Sequence, residues 1–127
     1  MSPDQITLTI PSEEEFQRVA HLVLGGLAAR LDVTVESLED LELALDELLE
    51  IRADGEVTVS VAIDRNDILR TGVGPFPVGA LDDLRRDDAA LSLRRILETV
   101  CDSFEVEERD DGEWVELVKR VDKAQKR

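Results

Sequence analysis

The chain has one cysteine, one histidine, one tryptophan and half as many basic residues as acidic ones, 15 against 30. A single thiol, Cys101, excludes an internal disulfide framework and suits a cytoplasmic protein. His21 has no second histidine and no cysteine cluster to join it, so no metal site is expected. Trp114 lacks neighbouring aromatics, which excludes a stacking platform for bases. A formal charge of −15 argues against direct nucleic-acid binding, which depends on neutralising phosphates, and fits a basic protein partner or simple solubility. No apolar run approaches the ~20 residues of a membrane span, and the first residues lack the basic-then-apolar pattern of a signal peptide.

Against those absences stand 43% apolar and 35% charged residues in 127, the balance of a folded soluble protein. The length predicts one domain over residues 1–127, with a short basic tail from about Lys119 through Arg120, Lys123, Lys126 and Arg127.

The organising stretch is Thr34 to Ile51. Leu38, Leu41, Leu45, Leu48 and Leu49 recur at helical spacing and form the core stripe. Thr34 is placed to cap this helix, and acids crowd its first turns, where the helix dipole favours them. Asp40, Leu43, Ala44, Glu47 and Ile51 follow a second line, with Glu47 a carboxylate among small or apolar neighbours. Spacing alone favours reading Glu47 as one more solvated acid, because charged side chains are rarely buried without partners.

Around that helix, residues 4–10 alternate as a strand ended by Pro11. Ser12-Glu13-Glu14-Glu15 has the form of a capping box, and Phe16, Val19, Ala20, Val23, Leu24, Leu27 and Leu31 make the apolar stripe of a first helix. Gly25 and Gly26 weaken it by about 1 kcal/mol each relative to alanine, which suggests a close-packed neighbour. Val57 to Ile63 and Ile68 to Thr71 pair as strands, followed by an irregular loop at 72–77 and a helical turn near Leu81 and Leu84. Ala90 to about Cys101 forms a third helix, with Cys101 a packed thiol at its end. A hairpin then runs from Phe104 through Asp110-Asp111-Gly112 to Val118. This order predicts a two-layer α/β (α+β) sandwich: a mixed, mostly antiparallel sheet with helices on one face.

That order, and the words Ile10–Ala20, Leu38–Leu48 and Val115–Arg120 written on it, resembles the histidine-kinase-like (GHKL) ATPases of the Bergerat fold. Within them the chain looks closest to the bacterial anti-sigma-factor serine kinases. The family's Glu-x-x-x-Asn box supplies a catalytic glutamate and a magnesium-holding asparagine; here the matching positions are Glu47 and Ile51. Its adenine-reading Asp-x-Gly-x-Gly matches Arg70-Thr71-Gly72-Val73-Gly74, where arginine, which only donates, replaces the acid. Its phosphate-binding Gly-x-Gly-Leu matches Ala90-Leu91-Ser92-Leu93, without glycine. The resemblance therefore implies a degenerate nucleotide site at Glu47, Ile51, Arg70, Gly72, Gly74, Ala90 and Ser92, with ATP and magnesium binding lost and Glu47 a vestigial base. The implied protein is a non-catalytic regulator, a pseudo-kinase, that binds a sigma factor or an anti-sigma antagonist in a stress response and forms a homodimer. The alternative it carries is an ATP-dependent protein serine kinase with an atypical nucleotide site.

Overall fold

The computed structural model describes residues 4–51, 55–82 and 93–121. Five strands, β1 (Asp4–Pro11), β2 (Glu56–Ile63), β3 (Ile68–Phe76), β4 (Ser103–Arg109) and β5 (Gly112–Arg120), form one sheet in the order β1-β2-β3-β5-β4. All four pairings are antiparallel, so the sheet has no parallel pair among the described residues. Three helices, α1 (Gln17–Arg30), α2 (Val35–Leu49) and α3 (Leu93–Val100), cover one face. The two-layer α+β sandwich expected from the sequence is the fold observed.

Period-two alternation divides the sheet's side chains. Val57, Val59, Val61 and Ile63 of β2, Leu69, Thr71 and Val73 of β3, and Val115 and Leu117 of β5 are buried beneath the helices. The opposite face holds a ladder of hydroxyls, with Thr9 Oγ1 2.8 Å from Thr58 Oγ1 and Gln5 Nε2 donating to Ser60 Oγ at 3.3 Å.

The helix α2 packs as its leucines dictate: Leu41, Ala44, Leu45 and Leu48 are buried, and Thr34 Oγ1 accepts the Ser37 N–H at 3.3 Å. The second line read along α2 does not form one face, since Ala44 is core while Leu43 is exposed.

Elsewhere four expectations are corrected. Ser12 and Glu15 form no capping box; the Ser12 N–H donates instead to the Gly55 carbonyl at 2.8 Å, and a 3-10 turn at Glu14–Phe16 leads into α1. Val19 is exposed, because α1 buries Ala20, Leu24, Leu27 and Ala28 instead. The segment expected to loop at 72–77 is strand as far as Phe76, since β3 is central in the sheet and pairs on both sides through Gly72. Pairing of that kind outweighs glycine's entropy, and Pro75 sits within the register shift between Val73 and Phe76. Lys119 and Arg120, read as the start of a solvated tail, are the last residues of β5.

Lys119 faces the helices and is mostly buried; its Nζ donates to the Val100 carbonyl at 2.8 Å and lies 3.3 Å from Asp40 Oδ2. One cation thus answers an orphan carbonyl at the C-terminus of α3 and a carboxylate on α2.

Candidate functional site

Glu47 sits in the last turns of α2, half-buried, on the same flank as Asp40 and therefore on the side turned toward Lys119 and α3. Helical geometry requires this: seven residues separate Asp40 from Glu47, close to two full turns. The other flank belongs to α1, where His21 lies between two carboxylates, Nδ1 3.2 Å from Glu42 Oε2 and Nε2 2.5 Å from Asp46 Oδ1. The Glu47 carboxyl is held above its ordinary value, first by partial burial, then by the charge and hydrogen bond of Glu50 and the charge of Asp46. A carboxylate so raised is a better proton acceptor than an exposed one.

Ile51 follows α2 and packs partly buried against the core, so it offers a magnesium ion no oxygen. Arg70, Gly72 and Gly74 alternate onto the sheet face opposite the helices, away from Glu47. Arg70 is exposed there and pairs with Glu116 Oε1 at 3.6 Å. A Cβ added at Gly74 would meet Trp114 Cδ2 at 2.6 Å and Cγ at 2.7 Å. Gly74 is small, then, because the indole lies against its backbone. Trp114 is fixed in turn by donating from Nε1 to Asp111 Oδ1 at 2.8 Å and by Arg109 stacked 4.3 Å over its ring. Ala90 and Ser92 lie outside the described residues, as does Leu84. Of the sequence-read site, Glu47 and Ile51 share one neighbourhood, and Arg70, Gly72 and Gly74 share another across the sheet. The described residues at those positions do not together make a cradle for a magnesium nucleotide.

Two polar residues escaped the sequence reading. Thr71 is 1% exposed on the helix-covered face, and its Oγ1 has no hydrogen-bond partner among the described residues. Glu113 is 2% exposed and accepts the Gly79 N–H at 3.3 Å. Extending period two through the Gly-x-Gly of β3, and back from Leu117 through Val115, would have found both. Cys101 is buried as expected, its thiol pushed up to about 11 by desolvation against the opposing pull of Lys119. Among the described residues no group of side chains is arranged to hold a metal ion, and no helix is long and apolar enough to cross a membrane.

A five-stranded antiparallel sheet with three helices on one face is the layer arrangement expected of the histidine-kinase-like ATPase fold. Comparison with known proteins narrows the likeness. The chain is 27% identical over 145 residues to serine-protein kinase RsbW of Listeria monocytogenes, a match spanning 96% of this chain and 90% of that one. It is also 27% identical over 130 residues to serine-protein kinase RsbW of Bacillus velezensis, covering 84% and 79% of the two chains. No family model matches it. The crystal structure of the RsbU and RsbW domains of a Mycobacterium tuberculosis protein superposes with a TM-score of 0.72 at 15% identity. That match covers 93% of this chain and 32% of the larger one, and shows the fold. The likeness to the anti-sigma-factor serine kinases read from the sequence is borne out.

The relatives also correct an expectation. The altered boxes led to a pseudo-kinase with no enzymatic role, whereas the relatives over most of the chain are named serine-protein kinases. The physical reason lies in the sheet. Arg70, Gly72 and Gly74 face away from Glu47, so their departure from the family pattern leaves the carboxylate that matches the catalytic glutamate in place.

Proposed function

We propose that the chain is a regulator of the anti-sigma-factor kinase type, an ATP-dependent protein serine kinase whose nucleotide site is built differently from the family pattern. It binds a sigma factor or its antagonist and modifies a serine of the protein it binds. The observation that carries this reading is Glu47, a raised carboxylate on the open flank of α2 at the position matching the family's catalytic glutamate. Its role is to accept the proton of the attacking serine hydroxyl, leaving an alkoxide-like oxygen as the nucleophile. That oxygen would bond to the γ-phosphorus of a bound nucleotide as the bond to the bridging oxygen breaks, and the nucleoside diphosphate would leave. Because Ile51 provides no metal ligand, a magnesium ion would have to take its oxygens from other residues. The acidic surface, with a charge of −15, complements a basic protein and speeds its encounter.

The test combines binding with transfer. Wild-type protein with ATP and magnesium is expected to show a raised thermal midpoint, since a ligand of the native state must stabilise it. Labelled phosphate should then pass to a serine of a sigma-factor antagonist, and Glu47→Gln should slow that transfer by about 10²–10⁴-fold while the fold persists. The sequence-based expectation that ATP and magnesium are no longer bound predicts no thermal shift and no transfer. That result would overturn the kinase.

A further inference from the structure

His21 is the chain's one histidine, and its ring on α1 stands between two carboxylates of α2. Nδ1 lies 3.2 Å from Glu42 Oε2, and Nε2 lies 2.5 Å from Asp46 Oδ1. A neutral imidazole carries one N–H and one lone pair, so it can donate to only one of these acids. Its lone pair then faces the other carboxylate, acceptor against acceptor. Only the imidazolium, with two N–H groups, satisfies both contacts. The acids favour a cation as well, because Glu42 and Asp46 sit one turn apart on α2, where like charges repel.

Other charged groups share these surroundings. Arg18 is one turn earlier on α1, and Glu13, Glu14 and Glu15 line the same groove from the segment before it. Asp46 immediately precedes Glu47 in the chain. Its charge acts on the Glu47 carboxyl, after desolvation and Glu50. The turn of α2 that His21 holds is therefore the turn that presents the candidate base, although Glu47 itself points to the other flank.

We propose that His21 is a positioning residue: its imidazolium ties α1 to the turn of α2 that carries Glu47, and loss of the ring proton removes one of the two hydrogen bonds in that tie. His21 acts through Asp46, without contact to Glu47. Histidine changes charge between about pH 5 and 8, so the tie is complete at the acid end of that range and weakened at the alkaline end. The stability it contributes is present at low pH and falls as the pH rises and the ring loses its proton. The consequence for Glu47 rests on the proposed function; the tie itself does not.

The test compares wild type with His21→Gln, which has no titrating ring, and His21→Arg, a permanent cation whose fork can reach two carboxylates. At about pH 5.5, wild type and His21→Arg should unfold about 2–4 °C above His21→Gln. At about pH 8, wild type should fall to within about 1 °C of His21→Gln, while His21→Arg keeps its lead. In wild type the amide resonances of Asp46 and Glu47 should move with the Cε1–H signal of the single histidine, and in His21→Gln that movement should be lost. The proposal is overturned if the wild-type advantage over His21→Gln is equal at both pH values, if His21→Arg behaves as His21→Gln does, or if Asp46 and Glu47 ignore the histidine titration. Phosphoryl transfer to a serine reads the effect on Glu47: its pH profile in wild type should carry an inflection that tracks the His21 signal, and both variants should lose it. An inflection retained in both variants overturns that effect. A wild type that transfers no phosphate, while midpoints and amide shifts follow expectation, removes the kinase and leaves the tie standing.

Discussion

The two faces of the sheet are built from the same strands and follow opposite rules. Beneath the helices, valines, leucines and Thr71 are packed so that Val73, Val115 and Leu45 have no exposed surface. On the other face, threonines, Ser60, Arg70 and Glu116 meet solvent, and Trp114 lies over Gly72 and Gly74. A residue's meaning therefore depends on which face its register selects. One position along a strand exchanges core for surface.

The largest effect expected from that contrast is on the covered face. Leu45→Ala should destabilise the protein by about 2–5 kcal/mol, as a truncation in a site that cannot collapse. Urea unfolding measures it, and a change below about 0.5 kcal/mol would mean that the leucine stripe is not the core.

On the open face the sensitive residue is a glycine. Gly74→Ala forces a methyl group against the indole of Trp114 and 3.0 Å from the Glu113 carbonyl, so it should cost about 1–3 kcal/mol. Gly72→Ala meets only Trp114 Cε3 at 3.9 Å, ordinary contact, and should change stability by less than about 0.5 kcal/mol. Equal costs at the two positions would show that Trp114 does not lie where the register puts it. Near-ultraviolet circular dichroism of each variant follows the indole directly.

Much of this fold was legible in the sequence because its signals are local. The leucine spacing of α2, the alternation of β2 and the Asp-Gly turn before β5 each fix an element without knowledge of its neighbours. What escaped was decided by neighbours. Gly72-Val73-Gly74-Pro75 reads as a loop by composition, yet it lies between β2 and β5, whose ladders hold it as strand. Val19 fits the apolar stripe of α1 by spacing, but the helix is rotated so that Ala20 and Leu24 take the core. Lys119 belongs to a basic run, and only the position of α3 above it turns it inward. Glu47 was legible as a candidate through resemblance; its separation from Arg70 was not, because motif matching carries no information about facing.

Cys101 sharpens the contrast through pH. Burial raises its thiol to about 11, with Lys119 lowering it and Asp102 and Asp40 raising it further. An acid whose folded value exceeds its unfolded value of about 9 binds its proton more tightly in the native state. Its contribution is complete below about pH 9 and is lost as the pH climbs toward about 11. Cys101→Ala should therefore flatten the loss of stability between those values, measured by thermal unfolding along a pH series. At neutral pH the wild-type thiol should resist iodoacetamide until the protein unfolds.

A small effect is expected at Arg70, and it bears most directly on the site. Arg70 matches the adenine-reading acid of the family pattern, so motif logic predicts that Arg70→Asp restores nucleotide binding. The structure predicts otherwise. The side chain points to the open face, more than half exposed, and its partner Glu116 is on the neighbouring strand. Replacing the arginine removes an exposed ion pair worth about 0.2–1 kcal/mol and sets two carboxylates near each other, a repulsion that solvent screens to a similar size. Stability should fall by about 1 kcal/mol or less, and by less still in high salt. ATP titration should return the wild-type response, since no group on the open face reaches the flank of α2. If Arg70→Asp instead tightened nucleotide binding tenfold or more, the register of β3 would have to slip by one residue. Thr71 would then turn outward, Gly74 would leave Trp114, and the division of the sheet into two faces would fail at its centre.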